Sequence, residues 1–329
     1  MMMRAWKWWG AASLLALISW WGGPPSAGAQ SAGPLRTHLV VITGVGGEPQ
    51  YANAFYQAGA SMVDAATKRL GIPDSLVVFL TEDPARDPTH RARKSSKDEI
   101  EGALTTVAGA LKENDQLVVL LIGHGSGQGA DSRFNVPGPD PSAADFAKWL
   151  DRAGTHPVVI VVATSASGDV LPVLSSPTRV VITATKSAME RNEIMFPRFF
   201  VAAFAADGAD ADKDGRVSIL EAFNYAKAEV TRAYEADNRL QTEHPQLSDA
   251  GNRAKSTFLA APRLVTSASG DPRVAALYTE RQAIESRIDA LKARKATTDS
   301  AAYAKQLESL LLELATKSAE IRQHEVKKP

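Results

Sequence analysis

The sequence contains no cysteine, so neither a disulfide nor a catalytic thiol can form anywhere in the chain. It also has no excess charge of either sign, because 37 Lys and Arg residues balance 37 Asp and Glu residues. A chain of this kind lacks the basic footprint of a nucleic-acid-binding protein and is not strongly drawn to an anionic membrane surface. No nucleic-acid partner is therefore expected.

Long apolar runs are absent too, apart from a short one at residues 11–21. Two cationic residues precede this run, and residues 27–29 read Ala-Gly-Ala, the small-x-small pattern of a cleavage site. We predict a signal peptide over residues 1–29, a linker over 30–36, and an exported protein, periplasmic or secreted, with no membrane contact after cleavage. An uncleaved membrane anchor is the alternative, because tryptophans flank the apolar run.

Five short apolar runs follow, each bounded by turn residues. They are rich in β-branched residues and do not alternate with polar ones, which is typical of strands buried on both faces. With helical patterns between most of them, they predict an α/β fold with a mostly parallel sheet and helices on both faces. The predicted strands are His38–Thr43, Leu76–Leu80, Leu117–Ile122, Val158–Ala163 and Val180–Ala184.

Three helical patterns separate these strands, over residues 52–70, 97–111 and 143–153. Ser96 and Glu99 have the spacing of a capping box, in which the two side chains each bond the other residue's backbone amide. Ligand sites in such folds lie beyond the carboxyl ends of the strands, so the loops at those ends are the places to look for function.

One twelve-residue segment, from Asp210 to Glu221, has the spacing of a calcium-binding EF-hand loop. Carboxylates occupy positions one, three, five and twelve, a glycine at position six permits the sharp turn, and position seven offers a backbone carbonyl. Helical patterns lie on both sides, within 197–236. Calcium is the expected cofactor, with Asp210, Asp212, Asp214, Arg216, Ser218 and Glu221 as ligands.

The sequence offers no second loop of this type, although EF-hand loops normally pair through the eighth position, which is Val217 here. We therefore expect the loop to be unpaired, and to hold a structural calcium ion with an affinity suited to conditions outside the cytoplasm. An acidic surface turn that binds no metal is the alternative.

Two candidate catalytic residues follow successive predicted strands. His124 comes directly after the third strand with its glycine, and Ser165 comes after the fourth. If these strands are neighbours in the sheet, the histidine lies close enough to the serine to act as its base.

This arrangement resembles the caspase, legumain and clostripain group of cysteine peptidases. In that group His-Gly follows one strand and Ala-Cys the next, and legumains continue with an acidic residue and Ser-Gly. Here the second loop reads Ser165-Ala-Ser-Gly, and the segment 182–193 is similar to its legumain counterpart. The resemblance covers about residues 39–193. It implies a caspase-like fold, with His124 in the position of the catalytic histidine and Ser165 in that of the nucleophilic cysteine.

Serine in place of cysteine leaves three hypotheses open. A thiol ionises near pH ~8.5, whereas a serine hydroxyl needs a tightly placed base and an acid that orients it. The first hypothesis is a non-catalytic pseudo-peptidase whose cleft binds a peptide or protein ligand. The second is a serine hydrolase in which Ser165 attacks and His124 is the base. The third is a purely structural, calcium-stabilised scaffold.

The composition changes near residue 271, and two amphipathic patterns predict a helical hairpin within 266–329, after a main domain over 37–265. The hairpin is expected to pack on itself, on the main domain, or on a second copy by self-association. The apolar positions are Val274, Leu277, Ile284, Ile288 and Leu291, then Tyr303, Leu307, Leu310, Leu314 and Ile321, the second set at near-heptad spacing.

Overall fold

The computed structural model describes residues 36–206, 208–212, 215–259, 272–293 and 299–326. The predicted signal peptide, the linker before Arg36 and the predicted calcium ligand Asp214 lie outside the described residues. Within the described part, no helix combines the length and the apolar character needed to cross a bilayer.

The described strands are β1 (Arg36–Thr43), β2 (Val77–Thr81), β3 (Arg93–Lys94), β4 (Asp115–Gly123), β5 (Gly125–Ser126), β6 (Arg133–Phe134), β7 (Val158–Thr164), β8 (Arg179–Thr183) and β9 (Gln246–Ser248). Seven of them form one sheet in the order β3-β2-β1-β4-β7-β8-β9. Only β9, at one edge, runs antiparallel to its neighbour in this sheet. All five predicted strands are confirmed, with small differences at their ends.

The described helices are α1 (Pro49–Asp64), α2 (Lys97–Gly109), α3 (Ala143–Leu150), α4 (Leu171–Leu174), α5 (Phe196–Ala205), α6 (Ile219–Ala236), α7 (Pro272–Ala293) and α8 (Ser300–Val326). Helices α1, α5 and α6 pack on one face of the sheet, and α2, α3 and α4 pack on the other. Strand β1 contacts both layers, since Leu39 belongs to one core and Val40 to the other. The predicted α/β class, with a mostly parallel sheet between helices, is confirmed.

The start of α2 differs from the prediction. Ser96 is the N-cap residue, but its side chain makes no capping hydrogen bond. Glu99 is drawn instead towards Arg93, whose Nη1 donates to its Oε2 over 3.3 Å. The predicted capping box of α2 is therefore wrong, and complete boxes form at Ser142 of α3 and Ser218 of α6.

The C-terminal region forms the predicted helical hairpin. Two ion pairs with N–O distances of 2.7 Å, Arg287–Glu313 and Lys317–Glu280, join α7 to α8. The helices thus pack on each other, which was one of the predicted alternatives. Their shared apolar core contains Ile284, Ile288, Leu291 and Leu310, with Tyr303, Leu307 and Leu314 packed against it.

Candidate functional site

The carboxyl ends of β4 and β7 bring the two candidate catalytic residues to one edge of the sheet. The strands are parallel neighbours, and Gly123 pairs with Thr164 at the end of the ladder. His124 and Ser165 follow these paired residues, and both line one pocket of about 70 Å³. The prediction that their strands are adjacent is confirmed.

The loop after His124 lies directly against Ser165. The amide of Gly125 donates to Ser165 Oγ over 3.4 Å, and Ser165 is 5% exposed. A Cβ atom on Gly125 would lie 2.4 Å from the carbonyl oxygen of Ser165. Only glycine at this position lets the two loops approach so closely.

The turn after Ser165 is held in an uncommon backbone conformation. Ala166 has a φ of +53°, in the left-handed region that non-glycine residues rarely adopt. Its amide donates to the carbonyl of Glu190 over 2.8 Å, so the loop after β8 holds the turn in place. The direction of the Ser165 side chain is therefore set by a strained turn that a neighbouring loop stabilises.

A buried hydroxyl network fixes the rest of this turn. Ser167 Oγ accepts from the amides of Ala184 and Thr185 over 3.1 and 3.2 Å. Thr185 Oγ1 in turn accepts from the amides of Ser167 and Gly168 over 2.8 and 3.0 Å. The residues after Ser165 in the motif thus anchor the loop to the end of β8, and Thr185 is a part of the site that the sequence did not single out.

The imidazole of His124 lies between two aromatic side chains of α1. Its ring centroid is 5.2 Å from that of Tyr51 and 4.9 Å from that of Phe55, with interplanar angles of 79° and 75°. Among the described residues, no carboxylate hydrogen-bonds to this ring. Nothing described here orients the histidine in the way that an acid orients the base of a serine hydrolase.

Among the charged residues after β8, Glu190 forms hydrogen bonds within the protein. Glu190 Oε1 lies 2.5 Å from His244 Nδ1, and its Oε2 accepts from the amides of Lys186 and His244 over 3.0 Å each. This carboxylate therefore binds neighbouring parts of the chain. Glu193, by contrast, lines the pocket.

Glu243 joins the same region to the start of α5. Its carboxylate is fully buried and accepts from the amides of Met195 and Phe196 over 2.7 and 3.1 Å. Burial raises the pKa of this carboxyl to about 7, against the opposing effect of the two amide hydrogen bonds. No sequence pattern indicated this role, because the bonded residues are far apart in the chain.

The predicted calcium loop brings three of its acidic ligands together. Asp210, Asp212 and Glu221 each offer a carboxylate oxygen, and these oxygens lie within 4.8 Å of one another. Gly215 has a φ of +86°, and its amide donates to Asp210 Oδ2 over 2.9 Å. Converging carboxylates around a glycine turn are the donor set that a hard divalent cation prefers, so the described residues fit calcium.

The side chain of Arg216 contacts Phe258 and lies near Glu285 of α7. Its guanidinium carbon lies 3.7 Å from the ring centroid of Phe258, and its Nη2 lies 3.8 Å from Glu285 Oε2 on α7. The backbone of the loop is paired as well, since Ser218 forms an antiparallel bridge with Phe258 and Ile219 donates to the carbonyl of Thr257 over 2.8 Å. The pairing begins at Ser218, one residue after Val217, and its partner segment lies outside any EF-hand, so the expectation of no second EF-hand loop stays a prediction.

No protein-family model matches the chain, and a search of curated proteins finds no relative. Similar solved structures include a structural-genomics protein from Geobacter sulfurreducens, at 11% identity, covering 69% of this chain and 98% of that one, with a TM-score of 0.44. They also include pro-sf-caspase-1, at 11% identity, covering 67% of this chain and 94% of that one, with a TM-score of 0.42. The Drosophila initiator caspase Dronc is similar at 10% identity, covering 73% of this chain and 94% of that one, with a TM-score of 0.42. All three scores lie below 0.5, so these similarities say nothing about the site.

Proposed function

We propose that the His124–Ser165 cleft is the non-catalytic peptide-binding site of a caspase-like pseudo-peptidase. The surroundings of the imidazole are the main support, because ring edges rather than a carboxylate flank His124. A serine nucleophile needs an oriented base, and this cleft supplies no orienting acid from the described residues. A partly apolar pocket suits a peptide side chain instead.

A serine hydrolase is the second candidate, and it rests on the amide of Gly125. This N–H group lies beside Ser165 Oγ, where it could also donate to a developing oxyanion. In such a reaction Ser165 Oγ would attack a carbonyl carbon while His124 accepts the hydroxyl proton. A purely structural scaffold, the third hypothesis, would bind no peptide at this cleft.

A peptide array with mass-spectrometric readout separates these hypotheses. We expect the protein to retain a subset of peptides and to release them uncleaved. His124→Ala should weaken this binding, whereas His324→Ala, on the exposed surface of α8, serves as the matched control and should leave it unchanged. Cleavage that disappears in Ser165→Ala would support the hydrolase, and retention of no peptide at all would support the scaffold.

We further propose that the loop from Asp210 to Glu221 binds one calcium ion with a structural role. The convergence of Asp210, Asp212 and Glu221 supports this. Arg216 would contribute its backbone carbonyl at position seven. Asp214 and Ser218 complete the expected ligand set, Ser218 either directly or through a water molecule.

Titration calorimetry on chelator-treated protein tests the calcium proposal. We expect one binding event per chain, with Asp210→Ala abolishing it. Asp237→Ala removes an exposed carboxylate of α6 outside the loop and is the matched control. The absence of heat in the wild-type protein, or the same heat in Asp210→Ala, would contradict the proposal.

Export is proposed from the N-terminal sequence alone. The cationic start, the short apolar run and the Ala-Gly-Ala pattern support cleavage after residue 29. Intact-mass measurement of protein recovered from the producing cells should give a chain that begins near Gln30. A mass that retains residues 1–29, found in the membrane fraction, would favour the uncleaved anchor.

A further inference from the structure

The pocket beside Ser165 has a wall formed by one face of α1. Tyr51, Ala54, Phe55 and Ala58 line it, and their spacing of three and four residues places them on the same side of the helix. The opposite wall includes Ile194. This pocket therefore opens at the candidate nucleophile and extends between a helix and the loop after β8.

The inner surface of this pocket offers little to a charged ligand. Apart from Tyr51, the titratable side chains that line it are His124 and two exposed residues, Glu193 and Arg198. Glu193 and Arg198 have opposite signs, so the rim has no net preference for an acidic or a basic group. A charged side chain buried beyond the rim would lose its hydration without gaining a described counter-ion.

We propose that this pocket receives one apolar side chain of a bound peptide, of the size of leucine, methionine or phenylalanine. The inference rests on the proposed peptide-binding function and assigns its specificity. The aromatic faces of Tyr51 and Phe55 supply contact area for such a side chain.

The size of the pocket depends on small residues of α1. Ala58 is half-buried and lines the pocket, so a larger side chain at this position would occupy the space that a ligand would use. Gln57 is its exposed neighbour on the same helix and does not line the pocket. Substitution of each by phenylalanine adds similar bulk to α1, but only one of the two variants fills the pocket.

Fluorescence anisotropy with three labelled peptides tests the proposal on the full chain. The probes are capped alanine-serine octapeptides that differ only in a central leucine, aspartate or lysine. We expect the leucine peptide to bind about tenfold or more tightly than the other two, in keeping with the discrimination of apolar pockets. Ala58→Phe should remove this preference, and Gln57→Phe should retain it.

Two controls keep the result decisive. Circular dichroism tests whether Ala58→Phe folds. If that variant does not fold, Ala54→Phe, at an exposed position that also lines the pocket, takes its place. Equal binding of all three peptides, unaffected by either substitution, would overturn the apolar specificity and leave the peptide-binding function standing. If no peptide binds the wild-type protein, the proposed function itself is contradicted.

Discussion

The contacts of His124 explain why we assign it a binding role. Edge-on aromatic rings fix the plane of an imidazole through van der Waals contact. They do not select which ring nitrogen carries the proton, whereas a carboxylate bonded to one nitrogen does. A thiol is acidic enough to react without that selection, and a serine hydroxyl is not. The residue at position 165 therefore decides what the same cleft can do.

Ser165→Cys tests this reasoning, because the chain contains no other thiol. The Gly125 amide and the nearby imidazole should both favour the thiolate, so we expect the introduced thiol to titrate below the ~8.5 of free cysteine. The pH dependence of its alkylation by iodoacetamide measures this pKa. His124→Ala on the same background should raise the midpoint, and a midpoint at or above that of free cysteine in both proteins would contradict the account.

Glu243 gives a prediction for the pH dependence of stability. Its carboxyl has a pKa of about 7 in the folded protein, raised by burial, against 4.5 for an ordinary glutamate. The folded state therefore binds this proton more tightly, and its contribution to stability is full below about pH 4.5 and lost as pH rises through about 7. Asp115 and Asp145, whose pKa values are about 2, titrate below this window.

Urea unfolding at pH 5 and pH 8 measures this effect. The free energy of unfolding of the wild-type protein should fall over the interval through Glu243 by at most about 3 kcal/mol. Glu243→Gln keeps the shape of the side chain and one amide-accepting oxygen but cannot ionise, so it should flatten the fall. An equal fall in both proteins would show that Glu243 does not titrate in this range.

Among the secondary-structure elements, α2 and α3 form a natural comparison of helix caps. Ser142 of α3 has a complete box, in which its Oγ accepts from the Asp145 amide over 3.2 Å and the Asp145 carboxylate accepts from the Ser142 amide over 2.8 Å. Ser96 of α2 has the same role by position but makes no side-chain capping bond. We expect Ser142→Ala to cost about 1 kcal/mol of unfolding free energy and Ser96→Ala clearly less. Equal costs in urea unfolding would contradict the assignment.

The elements also show what the sequence predicted and what it did not. Buried parallel strands have a distinctive apolar composition, and local apolar spacing indicated the helices α5 and α6 on either side of residues 210–221. The failures are contacts between distant segments. Phe258 forms a β-bridge with Ser218, and the Glu243 carboxylate accepts from the amides of Met195 and Phe196 at the start of α5. Such contacts depend on the assembled fold and have no local signature.

At the scale of the whole molecule, the cleft and the predicted calcium loop lie at opposite ends of strand β4. Gln116, near the amino end of β4, donates to the carbonyl of Phe258, the residue that pairs with the loop. The cleft lies at the carboxyl end of the same strand. Helix α5, with ten residues and thus about 15 Å long, separates the pocket from the loop.

This separation predicts that calcium stabilises the fold without changing the cleft. Calcium at about a hundred times its Kd should add about 2.7 kcal/mol to the unfolding free energy and raise the melting temperature. Asp210→Ala should abolish that gain, while the affinity for peptides stays the same with calcium or with chelator. Peptide binding that requires calcium would contradict a purely structural role.

Labelling with a fluorophosphonate probe tests whether Ser165 is a nucleophile. Intact-mass spectrometry of the wild-type protein, incubated with excess probe near pH 8, reports any covalent adduct. We predict no adduct on the protein, with a known serine hydrolase labelled in parallel. Stoichiometric labelling that maps to Ser165 and is lost in His124→Ala would contradict the account and identify a serine hydrolase.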